Sequence, residues 1–431
     1  MAVTLIILVF VVGYAAIAFE HPLQLNKTAS ALLTGVLCWT IYAASGLAGP
    51  DAVAGELSHH LAGIAEILFF LFAAMTIVEL IDAHDGFQLV TDRIKSRSSR
   101  KLLWILSLLT FFVSAALDNL TASIVMVSLL RKLIHDAGQR KFFAGIVIVA
   151  ANAGGAWSPL GDVTTTMLWI GGQISATNIM KGVFLPSLVS LLVPLAYLSF
   201  RMKGSVDKAA RVETEEKTPV SKRDGLIILA VGLSFLLFVP VFKTLTHLPP
   251  YIGMLLALGA VWVVSELLHK EKDDEDRLPL TVGYALQRID SSSILFFLGI
   301  LLAVSCLESV HVLRNLAVWM DHTIGNLDVI VVIIGAASAI IDNVPLVAAA
   351  MGMYDLADFP MDHKLWEFLA YAAGTGGSLL IIGSAAGVAV MGIEKIDFLW
   401  YLRKISLLAL LGYLAGAGTY LLLYELLRAG N

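Results

Sequence analysis

The sequence predicts an all-α polytopic membrane protein made of two inverted repeats, with about ten transmembrane crossings, two re-entrant hairpins and two broken helices. Composition, the recurrence of long apolar runs and an internal repeat carry that prediction. Of 431 residues, 58% are hydrophobic and only 15% charged. The mean hydropathy is +0.83, which exceeds what a soluble core requires. A net charge of −5 suggests no nucleic-acid partner; the expected surroundings are membrane lipid.

Apolar segments fall at 2–19, 28–48, 61–81, 102–117, 119–130, 142–170, 182–200, 225–242, 251–268, 292–308, 328–341, 343–352, 365–393 and 398–427. Each reads as helix, because lipid leaves a spanning backbone no partner but itself unless a barrel closes, and barrel strands would be short and alternating. The first segment lacks a basic leader and a small-residue cleavage site, so it is expected to stay as a helix, and with no transit peptide before it the expected location is a bacterial inner membrane. Cys38 and Cys306 lie inside apolar runs without Cys or His neighbours and read as packing residues. Residues 84–100 read as an amphipathic surface helix.

The charged stretch 201–224 lies at the middle of the chain and divides it into a first repeat, 1–200, and a second, 225–431. The motif ALDNLTASIVM at 116–126 recurs as IIDNVPLVAAA at 340–350, and NAGGAWSPLGD at 152–162 recurs as GTGGSLLIIGS at 374–384. Two motifs repeated in the same order with nearly the same spacing point to duplicated halves.

Topology turns on the two Asp-Asn segments. Residues 102–130 would form one helix about 43 Å long, too long for a ~30 Å hydrocarbon core. Both flanks are basic, with Arg97, Arg100 and Lys101 before and Arg131 and Lys132 after. A hairpin turning at Asp118-Asn119 keeps both flanks on one side, whereas 328–352, with few basic flanks, enters from the other. With the termini periplasmic, all of the 29 Lys and Arg except Lys181, Lys243, Arg314, Lys364 and Arg428 fall on the cytoplasmic side. Five crossings per half is an odd number, so the halves are inverted.

Ionisable groups at membrane depth are costly and mark function. Asp118, Asp162 and Asp342 are the deep acids, and all three sit beside helix breakers or amides. Interrupted helices expose carbonyls to a polar cavity, and Thr164, Thr165 and Thr166 add hydroxyls. Carboxylate and hydroxyl oxygens without a Cys/His cluster suit a hard cation such as Na⁺ or Li⁺. Each feature also has a plain structural use. An Asp-Asn pair can cap a helix, paired glycines can pack helices, and threonines can bond back to their own helix. Recurrence of the pair in both halves favours the site. Glu79 and Glu308 read as interfacial, Glu66 as lying within its helix, and the histidines as surface residues.

The runs ALDNLTASIVM, ANAGGAWSPLGDVTTTMLW, IIDNVPLVAAAMGMY and TGGSLLIIGSAAG resemble the NhaD-type sodium/proton antiporters of the ion transporter superfamily, over nearly the whole chain. That resemblance implies a homodimer with a scaffold and a moving transport domain. It places ion binding on Asp118, Asn119, Asn152, Asp162, Thr164, Thr165, Asp342, Asn343, Ser378 and Ser384, with no catalytic residue, no cofactor and no enzymatic activity. Ser384 holds the second-half place of Asp162. A buried carboxylate holds a proton more readily than an exposed one, so a site that takes either Na⁺ or H⁺ would exchange them across the membrane. Two alternatives are an anion symporter on the same architecture, which should carry deep basic groups, and an intramembrane aspartyl protease. The second would use two neighbouring aspartates, yet the Gly-x-Gly-Asp form is absent.

Overall fold

The computed structural model describes residues 1–18, 20–87, 94, 96, 98–202, 204–206 and 220–429. Among these the regular structure is helical, with one isolated antiparallel bridge between Ser98 and Ser205. Most of the 201–224 linker and much of the 84–100 surface segment lie outside the described residues.

The first half contributes α1 (Ala2–Ala18), α2 (Lys27–Ala44), α3 (Pro50–Ala83), α4 (Ser99–Ala116), α5 (Asn119–Leu133), α6 (Ala137–Ala156), α7 (Val163–Ile170) and α8 (Ala176–Arg201). The second contributes α9 (Lys222–Thr246), α10 (Pro250–Leu268), α11 (Ser291–Ser309), α12 (Val312–Ile324), α13 (Leu327–Ala337), α14 (Asn343–Met353), α15 (Lys364–Gly376), α16 (Ala385–Glu394) and α17 (Leu407–Ala429). Leaving aside α12 and the short helices Glu20–Leu23, Asp274–Arg277, Val282–Arg288 and Phe398–Tyr401, the halves correspond helix for helix.

The duplication extends to individual contacts. Ser114 Oγ on α4 donates to the Ala151 carbonyl of α6 at 2.6 Å, and Ser338 Oγ, after α13, donates to the Ala373 carbonyl of α15 at 3.0 Å. Gly154 lies against the backbone of Phe111, and Gly376 against the carbonyl of Gly335. An added Cβ would come within 2.2 and 1.9 Å of those carbonyl oxygens, so glycine is needed at both positions for the helices to approach so closely.

These contacts settle the course of the chain. The C-terminal ends of α4 and α6 meet, so the two helices run side by side in one direction. Only three residues separate the end of α5 from the start of α6. The start of α4 and the end of α5 therefore share a face, and α4–α5 is a re-entrant hairpin. The end of α8 returns to that face, where Ser99 N–H donates to the Gly204 carbonyl at 3.2 Å. The second hairpin reaches the opposite face: Met351 at the end of α14 touches Gly171 at the end of α7. On the first face, Arg131 at the end of α5 pairs with Glu394 at the end of α16 at 2.6 Å, and Arg140 holds the other oxygen at 2.7 Å. Each hairpin thus packs against the broken helix of the other half, as inversion requires.

Among the described residues, seven helices are long and apolar enough to cross a membrane by length and composition, or eight if α12 and α13, bent by 118°, make one span. That figure is below ten. It includes α4, which belongs to a hairpin, and leaves out α1 and α2.

Helices α1, α2, α3, α9, α10 and α11 pack as one bundle, and α4–α8 with α13–α17 as another. The first is tied by glycines: Gly35 of α2 and Gly299 of α11 lie backbone to backbone, and Trp39 Nε1 donates to the Leu302 carbonyl at 2.8 Å. Cys38 and Cys306 are free and fully buried in this bundle. The bundles meet where α3 touches α7 and α11 touches α14.

Candidate ion-binding site

Four helices, α5, α7, α14 and α16, begin at the breaks in the second bundle, and their N-caps are Asp118, Asp162, Asp342 and Ser384. Extended backbone at Asp162 (φ −149°) and Ser384 (φ −148°) ends each broken helix, and the side chain accepts a hydrogen bond from the first turn of the next segment. Cap and carboxylate are one device here, because a helix N-terminus stabilises a negative charge.

The caps then diverge. Asp118 is spent on its own helix, accepting from Thr121 N–H at 2.8 Å and from the Thr121 hydroxyl at 2.6 Å. Asp342 likewise accepts from Val344 N–H at 3.2 Å. Asp162, 1% exposed, turns its free oxygen inward. Asn119 Nδ2 donates to Asp162 Oδ2 at 2.9 Å, and Asn343 Nδ2 donates to the same oxygen at 3.2 Å. The tip asparagines of both hairpins therefore converge on one carboxylate.

The network continues across the halves. Asn119 also donates to Asn152 Oδ1 at 3.1 Å, and Asn152 Nδ2 donates to the hydroxyls of Ser378 and Ser384, each at 3.0 Å. Thr164 and Thr165 are fully buried, and their hydroxyls have no hydrogen-bond partner among the described residues. Two buried hydroxyls that follow a buried carboxylate in the chain fit the oxygen-rich donor set of a hard cation. Thr166 is occupied instead, donating to the Pro159 carbonyl at 2.8 Å.

Of the ten residues singled out by sequence, Asn119, Asn152, Asp162, Asn343, Ser378 and Ser384 form one connected set, with Thr164 and Thr165 adjoining. Asp118 and Asp342 hold the hairpin tips by capping. The sequence named Ser378 without its support, which is Tyr401: the phenol donates to the Ser378 carbonyl at 2.9 Å. Tyr401 lies outside both repeated motifs, so their spacing gives no sign of it.

Two openings approach this region. A cavity of about 410 Å³ between α3, α7, α11 and α14 is lined by Glu66, Glu308, His60 and Met167. It shares His59, His60, Glu308 and Met351 with a wider one of about 870 Å³. From the first face a small cavity of about 60 Å³, lined by Tyr14, Lys27 and Val388, reaches Asp342. Glu308 thus lines both of these cavities, and Glu79, half-buried, pairs with Arg288 at 2.8 Å. The expectation for the histidines fails at two positions. His84 and His269, 0% and 1% exposed, are buried against each other.

The family model described as "Citrate transporter" (CitMHS) matches residues 14–376. The chain is 52% identical over 421 residues to "Sodium/proton antiporter 1" of Arabidopsis thaliana, covering 97% of this chain and 72% of that one. It is 49% identical to "Sodium/proton antiporter 2" of the same plant, covering 97% and 99%. It is 31% identical to "Na(+)/H(+) antiporter NhaD" of Vibrio cholerae, covering 97% and 91%. Among solved structures, the Alcanivorax borkumensis YdaH transporter superposes with a TM-score of 0.57 at 11% identity, over 86% of this chain and 88% of that one, which speaks to fold alone. With a family model matched over most of its length and relatives aligned nearly end to end, the chain belongs to the NhaD-type sodium/proton antiporter family.

Proposed function

We propose that the chain is a secondary antiporter exchanging Na⁺, or Li⁺, for H⁺, with Asp162 as the carboxylate for which cation and proton compete. One observation carries this reading: a single buried carboxylate is met by the tip asparagines of both hairpins, and the two buried threonines that follow it, Thr164 and Thr165, have hydroxyls without a hydrogen-bond partner among the described residues. The names of the relatives agree with it.

The chemistry follows from the donors. Without a cation, the two amide N–H groups satisfy Asp162. A Na⁺ ion needs oxygens, which Asp162, the Asn152 and Asn119 amides on rotation, Ser384 and Thr164 supply. A protonated Asp162 becomes a donor and suits the amide oxygens instead. The two loaded states therefore exclude each other, and an empty charged site is the costly one to carry across. Exchange proceeds as the second bundle moves against the first, opening the site to each face in turn.

A ΔpH-dequenching assay on everted vesicles, with Na⁺, Li⁺ and K⁺ added in turn, tests the assignment. Dequenching by Na⁺ that is lost in Asp162→Asn supports it, and silence of the parent protein with all three ions refutes it.

The rival is an anion symporter, favoured by the description of the matching family model. Against it, the described hydrogen-bond network around Asp162 includes no Lys or Arg. Sodium-driven uptake of labelled citrate into proteoliposomes would decide for the rival.

A further inference from the structure

We propose that Lys243 is a strap that fixes the broken helix α7 to the first bundle in one access state and lets go in the other, an inference that rests on the alternating-access reading above. Lys243 lies on the last turn of α9, in the first bundle, and its Nζ donates to the carbonyl of Trp169 at 2.8 Å. The same ammonium sits 4.7 Å from the centroid of the Trp169 ring. One cation thus engages both a carbonyl in the last turn of α7, where the helix dipole favours positive charge, and the π-face of that residue.

The placement matters more than the bond. Trp169 is 1% exposed and meets Phe70 of α3 edge-on at 6.4 Å, so its ring is wedged against the first bundle. Helix α7 is eight residues long and its N-cap is Asp162. The strap and the carboxylate are therefore the two ends of one rigid segment about 12 Å long. Lys243 near the end of a spanning helix would ordinarily extend its ammonium towards water; here it turns inward.

Among the described residues, the second half has no such strap. The end of α16, the counterpart of α7, is held within its own bundle, with Arg131 and Arg140 on Glu394. Among the described residues, α7 is bound across the bundle boundary by a cation and α16 is not. The large cavity at Glu66 and Glu308 opens beside the strapped end, and the cavity at Val388 on the first face is small. Loss of the strap should therefore depopulate this state and widen the Val388 side. Lys243 acts through α7 rather than on the ion, so it is a positioning residue.

The test uses full-length protein in detergent with Cys38→Ala, Cys306→Ala and a reporter, Val388→Cys. Maleimide labelling of the reporter should be at least fivefold faster with Lys243→Met, while Lys243→Arg stays near the parent rate. A rate for Lys243→Met within twofold of the parent overturns the proposal. If Lys243→Met does not yield folded protein, Trp169→Leu decides, since it keeps the carbonyl and removes the ring: acceleration supports the strap and a parent rate overturns it. Alternation itself is read separately, as a Na⁺-dependent change in labelling with Lys243 intact. Its absence would sink the access cycle while leaving the comparison between variants meaningful.

Discussion

Asp162 and Ser384 occupy equivalent places, each the N-cap of the second segment of a broken helix, yet their chemistry differs. A serine hydroxyl can coordinate a cation but cannot release a proton at physiological pH. Ser384→Ala should therefore raise the half-saturating Na⁺ concentration several-fold with little change in the pH profile, while Asp162→Ala removes the pH dependence along with exchange. Initial rates against Na⁺ concentration at several pH values separate the two. A shift in the serine variant as large as that from losing Asp162 would mean that the halves share the titration. The asymmetry is legible in the sequence because the repeat aligns the two positions. What the sequence does not reveal is that Asp118 and Asp342 cap their own helices, since an Asp before Asn looks the same whether its oxygens face a backbone N–H or an ion. The cap hydrogen bonds from Thr121 and Val344 are visible only in the structure.

At the scale of elements, the paired hairpin and broken helix form the repeated unit, and glycine sets their separation. An added methyl at Gly376 would fall 1.9 Å from the Gly335 carbonyl oxygen, a rigid neighbour that cannot yield. Gly376→Ala should destabilise the protein by about 1–3 kcal/mol, the usual cost of overpacking, seen as a lower melting temperature in detergent. An unchanged melting temperature would mean that the helices separate freely.

The ends of α3 and α10 supply a second element-scale expectation. His84 Nδ1 lies 2.7 Å from the Leu80 carbonyl, so it carries the proton, and its Nε2 accepts from His269 Nε2–H at 2.8 Å. His269 Nδ1 is buried without a partner among the described residues. Burial, with Lys272 nearby, pushes His269 down to about 4, and burial also lowers His84. A group depressed in the fold stays neutral while its unfolded counterpart takes a proton. Stability from this pair is thus complete above about pH 6.5 and falls as pH drops towards 4. Melting temperature between pH 7 and pH 4.5 should fall less in a His84→Phe/His269→Phe variant than in the parent. The loop position of these histidines in the sequence suggests exposure, and the pairing of the two halves buries them.

For the whole molecule, the sequence conveys the duplication and the inversion because both are written in spacing and in the placement of basic residues. Tertiary ties such as Arg131 with Glu394 join residues 263 apart, and no local pattern announces them. Sidedness is where charge and geometry can be set against each other. The first face, where α4 starts and α5 and α8 end, carries Arg100, Lys101, Arg131, Arg140 and Arg201. Around the opposite ends stand Lys181, Arg314 and Lys364, with the acidic stretch Asp355–Asp358 between α14 and α15. Basic residues are retained on the cytoplasmic side, so the first face should be cytoplasmic and the vestibule beside Glu308 should open outward. Cysteines placed singly at Ser221 and Leu356, in a background lacking Cys38 and Cys306, test this in intact cells. Both positions border spanning helices, and Leu356 is exposed, so access to reagent depends on side alone. Impermeant maleimide should label the Leu356→Cys protein within minutes and leave Ser221→Cys unlabelled until the cells are opened. The reverse pattern would invert the molecule in the membrane and place its larger cavity on the cytoplasmic side.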